Sequence, residues 1–142
     1  VSVGLAIGAA ILLFVRLPEL SIRSDQEVAE WLTAVSQELE PNSIVVSSSD
    51  AQTFALWYGA WVTGDVVEAA PGAVIVNDSL YQFDWYRRLQ HDLHPEVSGA
   101  GESFEELLRQ NADSRPIFFV ERLDTVAEVH QQPQGNIWRF VR

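Results

Sequence analysis

Polar residues that follow strongly apolar runs are the first candidates for chemistry in this chain. Asp50 closes "SIVVSSSD", Asn77 and Asp78 follow "AVIV", and Glu121 follows "RPIFFV". If those runs are parallel strands, all four residues lie just beyond strand C-termini, at the edge where α/β sheets place their sites. Carboxylates and an amide gathered there could line a polar ligand cleft. Asp50 and Asp78 are equally good helix N-caps, because a carboxylate accepts a backbone N–H and is favoured by the helix dipole. Both readings stay open. His91, His94 and Glu96 bring metal-ligand types together, but the histidines flank a helix end beside Pro95, so they read as a solvated terminus and not as a metal site. Asp84 stands four residues before Arg88, the favourable order for an i,i+4 ion pair, and reads as structural.

The sequence contains no G-x-S-x-G, no Gly-rich phosphate loop, no G-x-G-x-x-G and no H-E-x-x-H. With no cysteine there are no disulfides, thiolate metal sites or Cys nucleophiles. No catalytic residue, metal or cofactor is therefore assigned. The formal net charge is -11, and all nine basic residues are arginine. A surface this acidic repels phosphate backbones, which argues against nucleic acid as a partner. At 142 residues, 47% apolar, with five Trp, three Tyr and seven Phe, the chain can bury one sizeable core.

The elements that must position these residues follow from periodicity. The opening "VSVGLAIGAAILLFV" carries no charge before Arg16, and its 15 residues are shorter than a full membrane span. Residues 1–16 read as the end of a transmembrane helix, with a signal-peptide remnant or a buried helix as alternatives. Residues 17–23 read as a juxtamembrane connector and 24–142 as one extramembrane domain. Ser24 and Glu27 match a capping box, and Val28, Leu32, Val35 and Leu39 form an apolar stripe, so a helix is expected to about Glu40. A strand over Ile44 to Val46 should lead into a helix whose Thr53, Phe54, Trp57, Tyr58 and Trp61 define a buried side. "TGDVVEAAPG" reads as a loop and "AVIVN" as a second strand.

"DSLYQFDWYRRL" then continues as one helix, with Tyr81, Trp85, Leu89 and Leu93 facing the core and Tyr86 beside them. Leu80, Phe83 and Arg87 fall on the opposite side, as a surface for a partner, a membrane headgroup layer or another part of the same protein. Ser103 and Glu106 start a helix to about Ala112, "RPIFFVE" is a third strand, "QQPQG" a turn and "GNIWRFVR" a fourth strand, joining antiparallel. The expected fold class is α/β: a small three-layer domain with a mostly parallel sheet of about four strands and flanking helices.

Two motifs carry a resemblance. "SSSDAQTFALWY", with Asp50, Thr53, Phe54, Leu56, Trp57 and Tyr58, and "AVIVNDSLYQFDWYRRL", with Asn77, Leu80, Asp84, Trp85 and Tyr86, precede a closing strand after "QPQGNIWRF". Over about residues 40–142 this resembles the C-terminal soluble domain of bacterial multi-pass membrane proteins similar to the protein O-mannosyltransferase group of GT-C glycosyltransferases. The chain departs from that pattern before its second strand, where "AAPGAVIVN" replaces an Arg-Pro-Asp-Val. The resemblance implies an extracytoplasmic domain of a cell-membrane transferase that uses polyprenyl-phosphate sugars. It also implies a catalytic acid in an early loop outside this fragment. The expected role is accessory: positioning a lipid-linked donor or a protein or glycan acceptor near the membrane, beside the transmembrane part of the same protein. The expected contact residues are the strand-end polar cluster and Trp57, Tyr58, Trp85 and Tyr86, with Phe83, Asp84 and Arg87 as candidate ligand or interface residues. A single-pass anchored module for carbohydrate or peptide is the competing reading.

Overall fold

The computed structural model of the chain describes residues 26–142, so the expected transmembrane helix, the connector and Ser24 lie outside the described residues. Among the described residues no helix is long and apolar enough to cross a membrane. Trp31–Arg142 forms one compact unit; of the other, Val1–Glu30, the described part is the start of helix α1.

Helix α1 (Glu27–Ser36) opens with Glu27 and Glu30, which suit the positive end of the helix dipole, and buries Leu32 and Val35. Val28, expected in the same stripe, is 56% exposed. The helix stops at Ser36, earlier than Glu40. Its end tightens into i→i−3 bonds, from Glu38 N–H to Val35 O and from Leu39 N–H to Ser36 O, because Pro41 disfavours helical backbone before it.

Five strands follow in one mixed sheet: β1 (Ile44–Ser47), β2 (Val74–Asn77), β3 (Ile117–Phe119), β4 (Gln131–Gln134) and β5 (Ile137–Phe140). Their spatial order is β2-β1-β3-β5-β4. β1 pairs parallel with β2 and β3, whereas β5 runs antiparallel to both β3 and β4. The expectation of about four mostly parallel strands is corrected on this point. "QQPQ", read as a turn, is an edge strand, where Pro133 is tolerated because an edge position needs no further ladder donor. The turn lies one step later, at Gly135, whose φ is +55°.

The three-strand parallel part explains the layers. From β1 the chain moves one way to β2, then back past β1 to β3, so right-handed crossovers require the two connections to cover opposite faces. They do. On one face Val45, Ile75, Phe118, Val120 and Ile137 pack against Leu32, Val35 and Leu39, against Leu56 and Val66 of helices α2 (Asp50–Tyr58) and α3 (Asp65–Ala69), and against Ala70 just after α3. On the other, Ile44, Val46, Val76, Ile117 and Phe119 pack against Tyr81, Tyr86, Leu107 and Leu108 of the segments leading through helices α4 (Asp84–Leu93) and α5 (Phe104–Asn111). The near-continuous apolar runs are what a strand buried on both faces needs.

Three helical expectations are corrected. α3 occupies part of "TGDVVEAAPG", reached through a π-helical turn at Gly59–Thr63 and Gly64, which has φ +85°. A Cβ at Gly59 would sit 2.8 Å from Leu32 and 2.9 Å from Val66, so only glycine admits this contact between the turn and two helices. The segment after β2 is not one helix but a 3-10 turn, Asp78–Gln82, then extended Phe83, then α4. That break shifts the phase of α4: Tyr86 and Gln90 are buried, while Trp85, Leu89 and Leu93, expected in the core, are exposed. Phe54, Tyr58 and Trp61 are likewise exposed and Trp57 half-buried, because α2 faces the sheet with Thr53, Ala55 and Leu56.

Candidate functional site

The C-terminal ends of β1, β2 and β3 meet as the strand order requires, and the crevice at the reversal of chain direction lies between β1 and β3. Three consecutive serines follow β1's last valine. Ser47 Oγ and Thr53 Oγ1 are 2.7 Å apart, and Thr53 donates to Ser49 O at 2.8 Å. Ser49, not Asp50, is the N-cap of α2, accepting from Gln52 N–H. Asp50 is exposed on the first helical turn, so its expected capping role is corrected. A serine in extended backbone can turn its short hydroxyl back onto the helix start, and that geometry falls one residue earlier than the carboxylate.

After β2, Asn77 is the cap and Asp78 is not. The Asn77 side chain accepts from Leu80 N–H at 3.2 Å and donates to Thr53 Oγ1 at 2.8 Å. Its backbone N–H donates to the Tyr86 hydroxyl at 2.8 Å. Asp78 is buried and accepts from Ser48 Oγ on one oxygen and from Thr125 Oγ1, at 2.9 Å, on the other. Ser79 donates to Ser48 O at 3.1 Å, closing the loop after β2 onto the loop after β1.

Across the crevice, one carboxylate oxygen of Glu121 accepts from both Ser48 N–H, at 2.9 Å, and Ser49 N–H, at 3.0 Å. Backbone amides at the mouth of a helix form a natural anion seat. Here the chain's own Glu121 occupies it. Beside it lies a shallow depression of about 450 Å³ lined by Ser48, Asp78, Gln82, Glu121, Asp124 and Thr125 among others. Its three carboxylates outnumber its one guanidinium, Arg122, which is itself paired with Glu128, so it is a poor seat for an anion.

Asn77, Asp78 and Glu121 therefore come together around the loop after β1, and Asp50 does not. Tyr86 joins them from beneath as a core residue, its pKa raised chiefly by burial. The other expected contact residues are dispersed. Trp57 and Tyr58 belong to α2, which covers the opposite sheet face from Tyr86, so no single ligand touches all the expected aromatics. Phe54, Trp57 and Trp61 instead form a row, with centroids 5.5 Å apart at each step. Phe83 and Trp85 stack outward at 6.3 Å. Asp84 pairs with Arg87, three residues on, not with Arg88. Arg87 also donates to Tyr81 O at 2.6 Å and is only partly exposed, while Leu80 packs against the core. The outward face expected of Leu80, Phe83 and Arg87 reduces to Phe83. Among the described residues no group of His, Cys, Asp and Glu is arranged to hold a metal ion.

Ser48, Ser49 and Thr125 were missed as functional positions from the sequence. The run "SSSD" was a signal for the first two. Thr125 had none, because it reaches Asp78 from a loop 47 residues away.

No protein-family model, curated protein or solved structure matches the chain.

Proposed function

We propose that this chain is the extracytoplasmic accessory domain of a membrane glycosyltransferase similar to the polyprenyl-phosphate-sugar-dependent O-mannosyltransferases, and that it positions donor or acceptor without reacting with it. One observation carries the non-catalytic part: the strand-end acids are spent on structure. Asp78 is held by Ser48 and Thr125, and Glu121 by two backbone amides. A general base or nucleophile needs a lone pair aimed at substrate; both oxygens of Asp78 and one of Glu121 are instead engaged by the protein. The membrane location and the transferase rest on the apolar start of the sequence and on the two motifs.

The test is a transfer assay in membranes, with a polyprenyl-phosphate sugar as donor. Residues 24–142 alone should transfer nothing, and deleting them from the membrane protein should raise the KM for donor or acceptor. Sugar transfer by residues 24–142 alone would refute the accessory role.

The row Phe54, Trp57 and Trp61 supports a second reading, an anchored module that binds carbohydrate or peptide on α2 and the π-helical turn after it, since exposed apolar patches mark contact surfaces. Loss of glycan or peptide binding in Trp61→Ser, with transfer unaffected, would favour it.

A further inference from the structure

Beside the strand-end crevice lies a second cleft of about 710 Å³, between α5, the 3-10 turn after β2, and the segment from Thr125 to His130. A volume of this size suits a small organic molecule. Its walls are apolar: Tyr81, Phe104, Leu108, Val126 and Phe140. Arg87, Arg109 and Arg142 line it too, three guanidiniums in a chain whose net charge is -11.

Tyr81 forms part of the wall. Tyr81 is 3% exposed, and its oxygen has no hydrogen-bond partner. That oxygen is closed off from the cleft by the core around it, so Tyr81 offers a ligand its ring and not its hydroxyl. Burial, with Tyr86 nearby, pushes the Tyr81 pKa up, which keeps the side chain neutral. Two carboxylates also line the cleft. Asp78 already accepts from Ser48 and Thr125, and Glu105 stands in the first turn of α5. Arg109 and Arg142 are paired with Glu106 and Asp113, but both arginines are more than half exposed, and such pairs exchange partners at little cost.

We propose that this cleft binds a small amphipathic anion: an apolar body lying on Tyr81, Phe104 and Leu108, ended by one carboxylate or phosphate held by the arginines. The inference stands on the cleft alone and is independent of the transferase reading.

The full chain, kept soluble in amphipol, is titrated calorimetrically with octyl phosphate, octanoate, octanol and inorganic phosphate. The same titrations are run on Ala112→Trp, which fills the cleft from the end of α5, and on Arg109→Ala/Arg142→Ala. Uptake of probe by the amphipol is common to all chains and cancels in the differences. At least one of the two amphipathic anions should bind saturably, lose binding in Ala112→Trp, and weaken about tenfold in the arginine pair, the scale of one lost charge-assisted contact. If Ala112→Trp loses its cooperative melt, the exposed arginine pair serves as the reference. The tighter of octyl phosphate and octanoate identifies the head group. Octanol bound as tightly as either anion, inorganic phosphate bound as tightly as octyl phosphate, or no saturable binding beyond that of the variants would overturn the proposal.

Discussion

Glu121 is the residue on which the strand-end region turns. It supplies negative charge to the N-terminus of α2 from just beyond β3, accepting from two amides that the helix cannot satisfy itself. Glu121→Ala should cost about 1–3 kcal/mol, the penalty of leaving partly buried donors unpaired, and Glu121→Gln less, since an acceptor remains. Ser49→Ala should cost about 1 kcal/mol as a lost cap. Asp50→Ala, by contrast, should stay within about 0.5 kcal/mol as an exposed surface change. Urea denaturation of the four variants checks the order; a larger loss at Asp50 than at Ser49 would reverse the cap assignment. His94, the residue that ends α4, has its pKa lowered, first by burial, then by Arg115, with Glu96 opposing. The unfolded chain, with a histidine pKa of about 6.5, then binds the proton better than the folded one. Stability is therefore full above about 6.5 and falls as pH drops toward the folded value. A proton NMR titration should find His94 below the ordinary histidine range, and His94→Gln should flatten that part of the stability profile.

At the scale of elements, α4 shows how a one-residue break redistributes roles. Phe83 is extended, with φ −98° and ψ 129°, between the 3-10 turn and the helix. A helix running unbroken from the strand would place Trp85 in the core; starting at Asp84, it buries Tyr86 instead. Tyr86→Phe should cost about 1–3 kcal/mol by orphaning the buried Asn77 N–H. Trp85→Ala should cost less, since its ring is half-exposed and touches chiefly Phe83 and Tyr86. Thermal melts of the two variants decide it, and a greater loss in Trp85→Ala would restore the unbroken helix. The same reasoning applies to α2. Its aromatics are numerous on nearly every side, so composition alone does not say which face meets the sheet; the close approach of Gly59 to Leu32 and Val66 does.

At the scale of the whole molecule, charge is unevenly spread. Residues 24–86 contain ten acids and no base, whereas seven of the nine arginines follow Arg87 or are Arg87 itself. Self-repulsion of this kind is long-range and yields to salt, whose screening length is about 10 Å at about 0.1 M. The melting temperature should rise on going from low to moderate NaCl. A fall would mean that exposed pairs such as Arg109–Glu106 outweigh the repulsion.

The sequence by itself determined the layered α/β class, the parallel β1, β2 and β3 and the Ser103 cap of α5, because β-branched runs buried on both faces and short capping side chains act locally. It left open whether Asp50 and Asp78 cap helices or line a cleft. Only the tertiary structure assigned capping to Ser49 and Asn77, held Asp78 with Thr125, turned Glu121 onto the α2 amides, made "QQPQ" a strand, and left Phe54, Trp61 and Trp85 outside. Each of those outcomes depends on which distant segment arrives at a given backbone donor or apolar face, and periodicity along one segment carries no term for that.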